Sequence, residues 1–105
     1  MTRAATDGSA AFLAQAKLGV AIAQRVDLTN CQELDHAVGE ILARFGTPDV
    51  LVNNAGWDKL EPFLESEPQT WEKIIAINYR AVLYTCKFVL PHMVARGSGK
   101  IINIA

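Results

Sequence analysis

The sequence predicts an α/β fold in which helices cover a parallel sheet, and three observations carry that prediction. Short runs rich in Val and Ile end near Val26, Val52 and Ala105. The segments between them carry apolar residues at three- and four-residue spacing, the period of a helix. Residues that cap or break helices stand at the joins. The resulting order is helix, strand, helix, strand, helix, strand, and such alternation implies parallel strands joined by helical crossovers.

Residues Ser9 to Leu18 favour a helix through their Ala, Leu, Gln and Lys content, with Gly19 placed to end it. Val20 to Val26 reads as a strand, after which Asp27-Leu28-Thr29-Asn30 turns the chain. Asn30 with Glu33, or Thr29 with Gln32, forms a capping box for the next helix. That helix presents Leu34, Ala37, Val38, Ile41, Leu42 and Phe45 on one stripe, and Gly46 and Pro48 stop it. Val50 to Val52 is a short buried strand. A polar loop with Pro62 follows, then Ser66 with Gln69 as a further capping box, with Pro68 in the first turn where it is tolerated.

The last helix runs from about Glu67 to Arg96, with a bend expected at Pro91. Gly97-Ser98-Gly99 ends it, and Lys100 to Ala105 is the final strand. At ~100° per residue, Trp71, Ile75, Val82, Cys86, Val89 and Met93 make one apolar stripe. Ile74, Ile77, Ala81, Tyr84 and Phe88 make a second beside it. A helix so widely apolar covers a sheet with one side and meets another helix with the other. A subunit interface through this 67–96 helix, hence a homo-oligomer, is the expected use of the second stripe.

Size and composition narrow the function classes. The chain has 105 residues, half of them hydrophobic and 20% charged, which suits a single globular domain over residues 1–105. A net charge of -1 gives no basic footprint for nucleic acid or for an anionic membrane surface. Uninterrupted apolar runs are only a few residues long, so no bilayer span is expected. No apolar core follows the one basic residue near Met1, so a signal peptide is not expected and the predicted location is cytoplasmic. Cys31 and Cys86 match neither a metal-ligand spacing nor a CxxC pair, and His36 and His92 have no carboxylate partners at ligand spacing; no metal site is predicted.

The chemistry-bearing stretch is Asp49-Val-Leu-Val-Asn-Asn-Ala-Gly56. In open parallel sheets, ligands sit just beyond the carboxyl ends of strands. A strand running into Asn53-Asn54-Ala55-Gly56 puts amide groups and bare backbone at that position, for ligand contact or for holding adjacent turns. Asp27, at the end of an earlier strand, serves as a turn residue or as a ligand acceptor. Asn78 lies within the apolar arc of the long helix, where an amide must find hydrogen-bond partners or cost a few kcal/mol. Trp57-Asp58 either packs on its own turn or faces a substrate.

Asp27, Asn53-Asn-Ala-Gly56, Asn78 and Gly99-Lys-Ile-Ile-Asn-Ile104, in this order and spacing, resemble the short-chain dehydrogenase/reductase family. The resemblance runs from about Val20 to Ala105. It implies a partial Rossmann-like, doubly wound parallel sheet and an NAD or NADP cofactor. It also implies hydride transfer between nicotinamide and a small-molecule secondary alcohol or ketone. By the same resemblance, Asp27 accepts from the adenine amino group and Leu28 donates to the adenine from its backbone. Asn53 lies near the cofactor ribose, Asn54 stabilises the central sheet, and Ala55 and Gly56 let the backbone approach the cofactor. Asn78 is the catalytic candidate, holding a water in a proton relay to a lysine.

The family's glycine-rich turn and its Ser, Tyr and Lys have no counterpart in these residues. Tyr79 and Tyr84 are followed four residues on by Leu83 and Phe88, not by lysine. Alone, the chain is therefore expected to lack the general acid/base for hydride transfer. In the family's sheet order, only the Val50 and Ile101 strands are neighbours; the strand ending at Val26 must pair elsewhere or fray. The alternative reading is a non-catalytic interaction module that docks on a full-length relative.

Overall fold

The computed structural model of the chain describes residues 3–4, 9–15, 19 and 21–105. Its strands are β1 (Arg3–Ala4), β2 (Ser9–Gln15), β3 (Ala21–Asp27), β4 (Val50–Asn53) and β5 (Lys100–Asn103). Its helices are α1 (Cys31–Phe45), α2 (Pro68–Ile75) and α3 (Ala81–Arg96), with a 3-10 turn at Phe63–Glu65 and a π turn at Ala76–Arg80 joining α2 to α3. The strands form two sheets. One is antiparallel, in the order β1-β2-β3; the other is the parallel pair β4-β5, in register from Val50↔Lys100 to Asn53↔Asn103.

The expected α/β class and the parallel β4-β5 pair are present, with helices crossing between strands. One expectation for the amino-terminal region is corrected. Ser9–Gln15 is a strand and not part of a helix, and it pairs with β3 from Ser9↔Asp27 to Gln15↔Ala21. β3 thus pairs outside the parallel sheet, the first of the two outcomes expected for the strand ending at Val26. The physical reason is backbone satisfaction. A lone β3 would leave a row of unpaired N–H and C=O groups, and a paired strand outweighs the modest helix preference of an Ala-rich segment.

α1 follows its sequence signals closely. Asn30 is the N-cap, and its side chain accepts from the Glu33 N–H at 3.0 Å. The Glu33 carboxylate reaches past Asn30 to accept from the Asp27 N–H at 3.1 Å, so the box closes on the preceding strand end. Leu34, Ala37 and Val38 are buried, and they join Val26, Leu28, Ala81, Val89 and Met93 in the core, with Leu51, Ile101 and Phe88 packed against it. Ser66, by contrast, does not cap α2. Glu67 is the N-cap, while the Ser66 hydroxyl donates to the Phe63 carbonyl and accepts from the Trp71 indole N–H at 2.8 Å.

The long helix departs from its expected phase at the π turn. The break in its α-helical pattern is at 76–80, and Pro91 lies within the continuous α3. A π turn inserts an extra residue, so side chains beyond it are rotated relative to an uninterrupted helix. The buried line runs Ile77, Ala81, Thr85, Val89 and Met93, drawing on both expected stripes. The exposed apolar residues are Trp71, Ile75, Tyr79, Leu83, Leu90 and Val94, so the free face is not the second stripe as predicted. The helical run Pro68–Arg96 is, by length and composition alone, long and apolar enough to cross a membrane, a property it shares with helices that cover a sheet.

Arg96 closes the far end of this layer. Its guanidinium donates to the carbonyls of Thr47 and Pro48, both at 2.9 Å, and to that of Ser98 at 3.1 Å, and pairs with Asp49 at 3.2 Å. The loop entering β4 is thereby tied to the end of α3. A lysine cannot present several donors in one plane, so Arg96→Lys is expected to cost about 1–2 kcal/mol in urea denaturation. A loss below ~0.3 kcal/mol would show that these carbonyls are equally well served by water.

Candidate functional site

The carboxyl ends of β3 and β4 open on the same side, against the helical run. Leu28, Asn53, Asn54, Ala55, Ile77, Ala81, Val82 and Thr85 line a small, open cleft. Of the predicted residues, Leu28, Asn53 and Ala55 meet there. Asp27, Gly56 and Asn78 lie outside its lining, in the segments that hold it.

Asp27 shapes the turn after β3. One carboxylate oxygen accepts from the Thr29 N–H at 2.9 Å and from the Thr29 hydroxyl at 2.7 Å, while the Asp27 carbonyl accepts from the Asn30 N–H at 3.1 Å. This is an Asx-type turn, and it drives the Leu28 side chain inward, to 3% exposure.

Asn53 ties three elements together. Its side-chain amide donates to the Asn103 side-chain carbonyl at 2.9 Å, across the parallel pair, and lies 3.8 Å from the Cys86 sulfur. Its side-chain carbonyl accepts from the Thr85 hydroxyl at 2.6 Å. Asn53 thus bridges the two parallel strands and α3. Thr85, only 4% exposed, was not anticipated as a site residue. The available signal was a hydroxyl on an otherwise apolar helical face, since a buried hydroxyl requires a partner.

Asn78 sits in the π turn and reaches back to the loop after β4. Its side-chain amide donates to the Trp57 carbonyl at 2.6 Å and to the Ile74 carbonyl at 2.9 Å, and its side-chain carbonyl accepts from the Trp57 N–H at 3.2 Å. Both backbone groups of Trp57 are therefore held by one side chain. Gly56 makes room for this: a Cβ there would stand 3.1 Å from the Asn78 side-chain oxygen. The small residue thus allows the Asn78 side chain to approach the loop backbone closely. The Trp57 ring lies under the Lys73 ammonium of α2, 4.1 Å from its centroid, a contact with the helix that neither of its two expected placements described.

Comparison with known proteins agrees with the fold. The short chain dehydrogenase family profile matches residues 3–105, beginning well before Val20. The chain is 44% identical over 84 residues to 5-keto-D-gluconate 5-reductase of Escherichia coli, covering 80% of this chain and 33% of that protein. It is 33% identical over 100 residues to D-beta-hydroxybutyrate dehydrogenase of Cupriavidus necator, covering 94% of this chain and 39% of that one. Among solved structures, a gluconate 5-dehydrogenase from Burkholderia cenocepacia in complex with NADP and tartrate matches at a TM-score of 0.70. It is 39% identical, over 75% of this chain and 31% of that one. A metagenomic short-chain oxidoreductase in complex with NADP matches at 0.73, with 34% identity over 76% of this chain and 37% of its own. The chain thus spans between a third and two fifths of the curated relatives described. On its strand-end motif, its fold and its match over nearly every residue, this chain belongs to the short-chain dehydrogenase family.

Proposed function

We propose that this chain forms the adenine-side part of the cofactor site of an NAD(P)-dependent oxidoreductase acting on a secondary alcohol or ketone. The observation that carries the reading is the cleft where Leu28 from the β3 turn meets Asn53 and Ala55 at the end of β4. An apolar wall beside accessible backbone suits a flat heteroaromatic base. Asp27 and the Leu28 backbone supply polar recognition of the adenine. Ala55 and Gly56 allow the cofactor backbone close, and Asn53 sets the position of that strand end. Asn78 belongs to the same site through the loop it holds. The cofactor, when bound, supplies the hydride-carrying nicotinamide. The relatives that carry NADP in their solved structures, and the dehydrogenase and reductase names of the others, support this assignment.

The test separates the two halves of the cofactor. In saturation-transfer NMR with this chain, adenosine monophosphate is expected to bind with a dissociation constant near ~1 mM, about -4 kcal/mol, while nicotinamide mononucleotide gives no signal. Equal signals from both, or from neither, would contradict the adenine-side assignment.

A second reading has its own support. Trp71, Ile75, Tyr79, Leu83, Leu90 and Val94 leave an apolar row along the helical run open to solvent, and contiguous apolar surface of this kind marks association sites. In this reading the chain docks through that row on another copy or on a full-length relative. Co-elution with a full-length family member supports it, and loss of co-elution on Leu83→Lys places the contact.

A further inference from the structure

Residues 54–62 cross from β4 to the 3-10 turn without regular structure. Several of the loop's recorded contacts are local: the Lys59 N–H to the Asp58 carboxylate at 2.8 Å, and Lys59 to Glu61 at 3.3 Å. Beside the packing of Ala55 on the core, polar and ring contacts to the helical run meet at Trp57. Asn78 holds the Trp57 N–H and carbonyl, and the Lys73 ammonium covers the indole face at 4.1 Å. Trp57 is half-buried, although Gly56, Asp58, Lys59 and Leu60 beside it are exposed.

Lys73 and Asn78 are five residues apart. In an uninterrupted α-helix that spacing separates two side chains by about 140°, too far to serve one ring and its backbone. The π turn at Ala76–Arg80 lies across the interval. Its wider turn, with i→i+5 bonding, brings residues five apart toward one face. Asn78 also satisfies the Ile74 carbonyl with its own side chain, at 2.9 Å. The helix irregularity and the loop anchor are therefore one arrangement.

We propose that Lys73 is a positioning residue. Through a cation–π contact, and together with Asn78, it latches the Trp57 indole onto the helix and fixes the 54–62 loop beside the strand-end cleft. A cation within ~6 Å of an indole centroid is attracted by the ring quadrupole, and arginine retains that attraction where an isosteric neutral side chain does not. That the latched loop borders a cofactor site rests on the function proposed above; the latch itself does not.

The test uses tryptophan emission with no cofactor present, so its failure and the failure of the oxidoreductase reading are separate results. The chain has two tryptophans, and Trp71→Phe leaves Trp57 as the sole emitter while keeping a ring against Phe63, on which Trp71 stacks at 5.4 Å. In that background, Lys73→Met is expected to raise the acrylamide quenching constant of Trp57 at least twofold, with an unchanged far-ultraviolet circular dichroism spectrum. Lys73→Arg is expected to restore the original value. Unchanged quenching in Lys73→Met would overturn the latch, and so would an equal rise in both variants. If Lys73→Met loses helical signal, Lys73→Gln provides the neutral comparison under the same two criteria.

Discussion

Replacing Leu34 with alanine should lower the stability of this chain by about 3 kcal/mol. Leu34 is fully buried, at 0% exposure, and it faces the centre of the cluster shared by α1, α3 and β3. Truncation removes the apolar transfer term and leaves a cavity that the surrounding elements cannot fill without moving. The cavity would open beside Val26 and Leu28, so the turn that carries Asp27 should loosen with it. Total stabilities of small domains are about 5–15 kcal/mol, which makes a loss of this size easy to see in a urea titration. Leu34→Met, which nearly conserves volume, is expected to cost less than ~1.5 kcal/mol. A loss below ~1 kcal/mol for the alanine variant would mean that α1 is not seated against the hairpin as described.

The second large effect is expected at Gly99. A Cβ built there would lie 2.5 Å from the Met93 sulfur and 2.9 Å from the Met93 Cβ. Met93 is itself buried at 4% exposure, and the Gly99 φ of +158° is one that side chains rarely adopt. Gly99→Ala must therefore push β5 away from α3 or force Met93 out of the core, at a cost of about 2–3 kcal/mol. β5 carries Asn103, the partner of Asn53, so the shift should reach the strand end at the cleft. Since one clash causes the loss, Met93→Ala in the same chain should relieve part of it, and the double variant should lose less than the sum of the two singles. Strict additivity would show that the glycine is needed for its backbone conformation alone.

Much of the architecture was legible because several signals agreed. α1 had a cap, an apolar stripe and two stop residues, and each proved to mark the element. β4 and β5 were short apolar runs between breakers, and their parallel pairing followed from the crossover between them. What escaped depended on partners distant in sequence or on a change of helical period. β2 is a strand because β3 offers it an edge, which no local propensity encodes. The stripes on the long helix were drawn at a constant ~100° per residue, and the π turn broke that assumption between Ile75 and Ala81. Asn78 was visible as an amide in an apolar arc, yet its partner Trp57 lies across a loop. In the sequence Arg96 stood only as the end of the last helix, and only the fold brings Thr47 and Pro48 within its reach.

Titrating NADP into isotopically labelled chain and mapping the amide shifts tests the central claim most directly, because it asks where the cofactor sits. The account predicts shifts clustered at Leu28, Asn54, Ala55 and Gly56, reduced severalfold in Asp27→Ala, with the far end around Arg96 unchanged. Shifts spread over the exposed helical row, or absent from the ends of β3 and β4, would contradict it.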